Sequence, residues 1–193
     1  MKKYFKIAGF FLMATLLFFI IKYVYDININ HNFETITENK VYKSGVIPPE
    51  EIEDYVKKYH IKSIVDLRFP GTGDDVNNPE IPAELIAEKN AVLKIPGVNY
   101  YNNGSDQVPA QKNLDVFFNI MDNPENYPVL IHCYHGVGRA EMYSAIYRIE
   151  YEGLDREKAR TSTRFLTKWS SFDIGKEKGD FLHNYKKRTK KKP

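Results

Sequence analysis

The longest apolar run lies at the start of the chain. Residues 7–21 (IAGFFLMATLLFFII) carry no charge, with Lys2, Lys3 and Lys6 before them and Lys22 after. With Tyr4, Phe5 and Tyr23–Tyr25 added, residues 4–25 span roughly 33 Å at ~1.5 Å per residue, enough for a bilayer core. Lys6 and Lys22 are placed to snorkel, and tyrosines stand at both ends where the interface favours them. No small residues follow for a signal peptidase, and no cysteine for a lipoprotein anchor. Residues 1–25 are therefore expected to be a retained single-span anchor. Its leading positive charge puts the amino terminus in the cytoplasm and the rest outside, on the periplasmic side in a bacterium.

Residues 26–39 are polar and Asn-rich and read as a linker. From Val41 short apolar runs alternate with amphipathic stretches. Val41–Ser44 is a strand candidate. Pro48-Pro49-Glu50-Glu51 opens a helix to about Tyr59, with proline and acids in its first turn. Ile61–Leu67 reads as a buried strand, 70–80 as a Gly-, Pro-, Asp- and Asn-rich loop, and Ile81–Lys89 as a helix. Ala91–Ile95 reads as a strand, with Asn99–Asn103 as a possible continuation. Pro109–Met121 is an amphipathic helix, with Leu114, Phe117, Phe118 and Met121 at helical spacing. Pro128–His132 is a short strand of the central, buried kind. Helices follow over Glu141–Tyr151, Arg156–Leu166 and Asp180–Lys187. Alternating strands and helices predict an α/β fold, a mostly parallel sheet flanked by helices. The folded domain is set at 40–185, with a basic tail over 186–193. The lone Trp169, with Phe165, Phe172 and Phe181, is read as core.

Charge changes one conclusion. The 193 residues carry 28 bases and 25 acids, a net +3 that would suit a nucleic-acid partner. The bases concentrate at the ends: residues 27–185 keep 18 bases and 24 acids, a net −6. An acidic domain with a short basic tail is a poor nucleic-acid binder. The tail is a solvated end or, less simply, a contact for anionic lipid. The single cysteine, Cys133, excludes an intrachain disulfide or a Cys-rich zinc site.

Cys133 lies in the stretch with most chemical content: His132-Cys133-Tyr134-His135-Gly136-Val137-Gly138-Arg139-Ala140, between a buried strand and a helix. A strand running through a glycine-bearing loop into a helix makes an anion site, because successive N–H groups and the helix's positive end face one place. Gly136 and Gly138 permit the backbone angles, and Arg139 offers a planar fork for two phosphate oxygens. In that field a thiol tends toward thiolate, a nucleophile aimed at a bound phosphorus. The local chemistry points to phosphoryl transfer through a phosphocysteine, with residues 134–139 (Tyr134, His135, Gly136, Val137, Gly138, Arg139) around the phosphate.

His132-Cys133-(x5)-Arg139 resembles the signature of cysteine-dependent protein tyrosine and dual-specificity phosphatases. Val41-Tyr42-Lys43-Ser44-Gly45, then a helix and Ile64-Val65-Asp66-Leu67-Arg68, resembles the opening of the compact dual-specificity-like branch of bacteria and fungi. The resemblance covers roughly residues 40–185. It implies a four- or five-stranded sheet, no metal or other cofactor, and a two-step reaction. Cys133 would attack phosphorus, Arg139 would hold the equatorial oxygens, and an aspartic acid would protonate the leaving group. The family's acid sits on the loop before the helix that precedes the signature strand; here that loop is 102–109, whose only carboxylate is Asp106. Asp74 and Asp75 are the runners-up. His132 either orients the loop and tunes the sulfur or is a plain buried histidine; His135 faces the pocket mouth or solvent. Asp66 and Arg68 are read as structural.

One residue departs from the pattern: Ala140 stands where the family usually has Ser or Thr. That hydroxyl would donate to the departing thiolate, and losing it costs ~1.5–3 kcal/mol, roughly one to two decades in rate. Slow turnover with accumulating phosphoenzyme is expected. The loop has no lysine, which argues for a phosphomonoester such as phosphotyrosine over a highly phosphorylated substrate; an anchor keeps a phospholipid headgroup open. The competing classes are a phosphate-binding pseudophosphatase, motivated by Ala140, and a rhodanese-like sulfur-transfer domain, whose loop is typically shorter and lacks the His-Cys…Arg frame.

Overall fold

The computed structural model describes residues 2–69 and 81–189. The expected loop over 70–80, with Asp74 and Asp75, and Lys190–Lys192 lie outside the described residues. The first helix, α1 (Lys2–Asn28), is continuous, and its Gly9–Asn28 stretch has a mean hydropathy of 1.8. By length and composition it is apolar enough to cross a membrane, and none of that stretch is buried against the rest of the chain.

The remainder alternates strands and helices: β1 (Glu34–Thr37), β2 (Val41–Ser44), α2 (Ile52–Tyr59), β3 (Ser63–Asp66), α3 (Pro82–Val92), β4 (Asn99–Asn102), α4 (Gln111–Asp122), β5 (Val129–His132), α5 (Arg139–Tyr147), α6 (Arg156–Thr161) and α7 (Glu177–Asn184). The five strands form one sheet in the order β1-β2-β5-β3-β4. Only β1 runs antiparallel to its neighbour; β2, β5, β3 and β4 are mutually parallel.

The central strands are buried on both faces, and their alternation assigns each side chain to one of two cores. Val41, Val65, Val129 and Ile131 point to the face covered by α4, α5 and α7, where Leu114, Phe117, Met121, Tyr143, Ile146 and Leu182 pack. Tyr42, Ile64 and Leu130 point to the other, where Phe33, Ile52, Val56 and Val92 from the chain before β1, α2 and α3 pack. Fully burying one such side chain contributes about 1.5–3 kcal/mol. The register aligns Ser44, His132 and Asp66 at the carboxyl ends of β2, β5 and β3. In a parallel sheet this is the edge where loops gather to form a site.

Several expectations are corrected. Ala91–Ile95 is not a strand: Ala91 and Val92 complete α3, and the chain turns before β4. The apolar spacing there belongs to a helix end, with Val92 buried and Leu93 exposed. The stretch read as a linker contains β1, whose pairing with β2 brings Phe33 into the core. Helix α2 begins at Ile52 rather than Pro48, after a turn in which Glu51 N–H donates to the Pro48 carbonyl. Helix α5 continues as a wider turn over Arg148–Glu152, and α6 stops at Thr161 rather than Leu166. Trp169 is 78% exposed and Phe165 is fully exposed, so neither is core, whereas Phe172 is buried.

Candidate active site

Strand β5 delivers Cys133 to the end of the sheet, and the chain turns through residues 134–138 into α5. All of α5 is buried, and its amino-terminal end opens onto this loop. Two glycines make the turn possible. Gly136 has φ +75°, and a Cβ there would lie 2.5 Å from Gly45 N and 2.6 Å from the Ser44 carbonyl carbon. A Cβ on Gly45 would in turn sit 3.0 Å from the Tyr134 carbonyl oxygen. The Ser44-Gly45 segment after β2 and the loop after β5 are thus in backbone contact, sealed by Val46 N–H donating to the Tyr134 carbonyl at 3.0 Å.

Beneath the loop lies an ion pair. Lys43 on β2 is buried, with Nζ 2.9 Å from Glu141 and 3.0 Å from Glu34, and it donates to the Gly136 carbonyl at 3.4 Å. Burial pushes the Glu141 carboxyl up against the pull of Lys43, and the Lys43 ammonium stays above its usual range because both acids outweigh its burial.

A cavity of about 210 Å³ opens above Cys133, lined also by Gln107, His135, Val137, Gly138, Arg139, Arg164, Ser171 and Lys178. Arg139 is buried, and its Nη1 donates to the Leu67 carbonyl at 3.0 Å and the Ser105 carbonyl at 3.4 Å. One guanidinium therefore ties the end of β3 and the loop after β4 to the start of α5. Arg164 donates to the Val137 carbonyl and stacks on the Phe172 ring at 4.8 Å. Burial draws its pKa down, and the charges of Glu141, Glu34 and Cys133 oppose that. Lys178 Nζ lies over the same ring at 5.3 Å. Tyr134 and Gly136 do not line this cavity: Tyr134 turns to a larger one of about 510 Å³ between the end of α1 and α3, which reaches neither Cys133 nor Arg139. His135 lines both.

Asp106 is exposed on the loop between β4 and α4, and among the described residues the cavity wall holds no carboxylate. Its neighbour Gln107 lines the wall instead. Sequence reasoning misses Gln107, Arg164 and Lys178 because nothing in their local sequence marks them; only the closeness of Gln107 to Asp106 is a signal.

Behind the cavity His132 joins a buried charge cluster. Its Nε2 is 2.8 Å from Glu88 Oε1 and 3.6 Å from Asp66 Oδ1. Arg68 donates to both Asp66 oxygens, each at 2.9 Å, and to Glu88. Asp66, Glu88 and His132 offer ligand atoms close enough for a metal, but Arg68 already supplies the cation between the two acids. Burial alone would lower the His132 pKa, and Glu88 and Asp66 outweigh it to raise it. Burial alone would raise that of Asp66, and His132 and Arg68 bring it down.

A parallel sheet ending in a Cys-(x5)-Arg loop over a helix amino terminus, walled by further cations, defines a cysteine-based, dual-specificity-like phosphatase. The chain belongs to the DSP-PTPase phosphatase family, whose family model, described as "DSP-PTPase phosphatase fused to NAD+ Kinase", matches residues 17–178. Among solved structures, the fold resembles the core catalytic domain of the PP-IP phosphatase SIW14 from S. cerevisiae in complex with citrate. The two are 21% identical with a TM-score of 0.60, over 81% of this chain and 86% of that one. A cysteine-to-serine form of P. aeruginosa TpbA in complex with pTyr is 17% identical with a TM-score of 0.56, over 80% and 85% of the two chains. A glycine-to-alanine mutant form of Tk-PTP is 19% identical with a TM-score of 0.56, over 78% and 91%. No curated protein matches the chain.

Proposed function

We propose that this protein is a membrane-anchored phosphatase that hydrolyses phosphomonoesters through a phosphocysteine on Cys133. Arg139 binds the phosphate, the amides of residues 134–139 complete the cradle, and Asp106 is the general acid. The reading is carried by one observation: the sole cysteine sits in a cavity with Arg139 at the amino end of α5, the polarity a phosphate dianion requires. Asp106 serves as acid by turning its exposed carboxyl over the cavity that Gln107 already enters. The test is hydrolysis of para-nitrophenyl phosphate, abolished in Cys133→Ser and reduced in Asp106→Asn. Full activity in Cys133→Ser overturns the reading.

Phosphotyrosine is the first substrate to try, and TpbA, with the same fold, carries pTyr in its solved complex. A second reading, a substrate with two anionic groups, is favoured by the cavity itself. The signature loop has no lysine, but Lys178 and Arg164 line the pocket, so the argument from loop composition does not extend to the whole site. A panel of phosphotyrosine peptides, phosphoserine peptides, inositol phosphates and phosphoinositides separates the readings. Binding of these compounds without turnover would instead favour the pseudophosphatase that Ala140 suggests. The anchor reading rests on α1 and its basic flank, and alkaline phosphatase fused after residue 193 tests the orientation: activity supports an extracytoplasmic domain and inactivity overturns it.

A further inference from the structure

Two aromatic side chains expected in the core stand outside it, on the segment between α6 and α7. Phe165 is fully exposed and Trp169 largely so, and Leu166 and Ile174 of the same segment are more than half exposed. Outside α1, Phe165 and Trp169 are the only exposed large aromatic side chains among the described residues. Large apolar side chains gathered in water on one short segment mark an interaction surface.

The segment is built to present them. Phe172 is buried in the core and pins it, and the Phe172 carbonyl accepts from Arg160 Nη1 at 2.8 Å. Asp173 accepts from Trp169 N–H at 2.8 Å and from Ile174 N–H at 2.9 Å, closing the turn that carries the indole. Trp169 takes φ +66°, a left-handed conformation that is strained for a bulky residue.

Charge and position identify what covers this surface. Residues 164–178 hold the bases Arg164, Lys168, Lys176 and Lys178 against the acids Asp173 and Glu177, a basic stretch within an otherwise acidic domain. Lys168 Nζ lies 5.0 Å from the centre of the Trp169 ring. Aromatic and aliphatic side chains interleaved with lysines suit the boundary of an anionic bilayer, which takes up the rings and draws ammonium groups to its headgroups. Helix α1 ends at Asn28, and Asn32 Nδ2 already donates to the His135 carbonyl. Two residues on, the Val137 carbonyl accepts from Arg164, the neighbour of Phe165. The chain from Asn28 to Asn32 spans at most about 14 Å. The end of the apolar helix and the exposed segment therefore meet at one loop.

We propose that residues 165–174 dock on an anionic bilayer, with Phe165, Leu166, Trp169 and Ile174 in its interface and Lys168 and Lys176 at its headgroups. This rests on the anchor reading of α1 given above. The rim of the Cys133 cavity then stands at the membrane surface, since Arg164, Ser171 and Lys178 of the same stretch line that cavity.

Trp169 is the only tryptophan, so its fluorescence reports this segment alone. The full chain is reconstituted in phosphatidylcholine vesicles, with or without a third of phosphatidylglycerol, whose acyl chains are brominated near the headgroup. In the anionic vesicles Trp169 emission should be quenched by bromine and shifted to shorter wavelength. Lys168→Ala with Lys176→Ala should lower the docked-to-undocked ratio read from the quenching about 25-fold, about fivefold for each ammonium near an anionic surface. The same variant should keep its para-nitrophenyl phosphate hydrolysis in detergent, the check that it is folded. Unquenched Trp169 in chains retained on the vesicles overturns the proposal, as does quenching equal with and without phosphatidylglycerol. Trp169 shielded from aqueous iodide yet unquenched by bromine would put protein on this segment, a second copy of the chain included, and also overturns it. Chains washed from the vesicles at alkaline pH overturn the anchor reading and the proposal with it, an outcome that flotation distinguishes from the others.

Discussion

His132 Nε2 lies 2.8 Å from Glu88 Oε1, and each side chain is only 2% exposed. The residue before Cys133 is thereby tied to α3, a helix remote in sequence. The pair belongs to one cluster with Asp66 and Arg68, in which two acids meet two bases. Removing one acid leaves buried positive charge uncompensated. Glu88→Gln should destabilise the fold by about 3–5 kcal/mol, as loss of one partner from a buried ion pair does. Urea denaturation checks it, and a loss below about 1 kcal/mol would show that water or a neighbour compensates the change.

The same cluster gives stability a pH dependence of known sign. The His132 pKa is raised in the folded protein, so the folded state holds its proton more tightly than the unfolded state does. That stabilisation is fully present below the unfolded value of about 6.5 and is lost as pH rises through the folded value. Thermal stability should therefore decline as pH rises above about 6.5 and through the raised folded value, and His132→Asn should flatten that slope. A slope unchanged in His132→Asn assigns it to another group.

Ala140 is buried at the first turn of α5, in the same core cluster as Cys133. Ala140→Ser restores a hydroxyl donor to the departing sulfur and should raise steady-state turnover about tenfold while shrinking the pre-steady-state burst. No burst in either protein would show that the second step does not limit turnover.

Arg164 and Lys178 face the cavity from the chain after α6 and from α7. Arg164→Ala with Lys178→Ala should lower kcat/KM about tenfold more for an inositol polyphosphate than for para-nitrophenyl phosphate, since only the former presents a second anion to them. Equal losses would assign both residues to the primary phosphate or to the fold.

Gly136→Ala places a Cβ 2.5 Å from Gly45 N at φ +75°. Because a shift of about 1 Å in a catalytic loop costs on the order of 100-fold in rate, activity should fall at least that far, with ~1–3 kcal/mol lost from the fold. Activity and melting temperature measured together separate the two effects.

Much of this is legible in local sequence. The Val-Leu-Ile-His run of β5, the glycines after it and Arg139 form one contiguous signal, because strand, loop and helix are adjacent in the chain. Strand β4 is harder to read: Asn-Tyr-Tyr-Asn at a sheet edge has no apolar run, and its tyrosines are only half-buried. The apolar run before it ends a helix instead. Glu88 reads as an ordinary helix-surface acid until β3 and β5 bring Arg68 and His132 beneath it. Gln107, Arg164 and Lys178 enter one cavity from separate segments, a convergence made by the fold and by no spacing along the chain.

Helix α1 ends at Asn28, and by His31 and Asn32 the chain is already bonded to the site: the His31 carbonyl accepts from Gly45 N–H, and Asn32 Nδ2 donates to the His135 carbonyl at 2.9 Å. A phosphatase on a long flexible leash sweeps a wide volume and finds targets by reach. Here the chain between α1 and those hydrogen bonds leaves no slack. Were a membrane to hold α1, the height of the pocket above it would be fixed, and access would be decided by which phosphorylated groups come to that height.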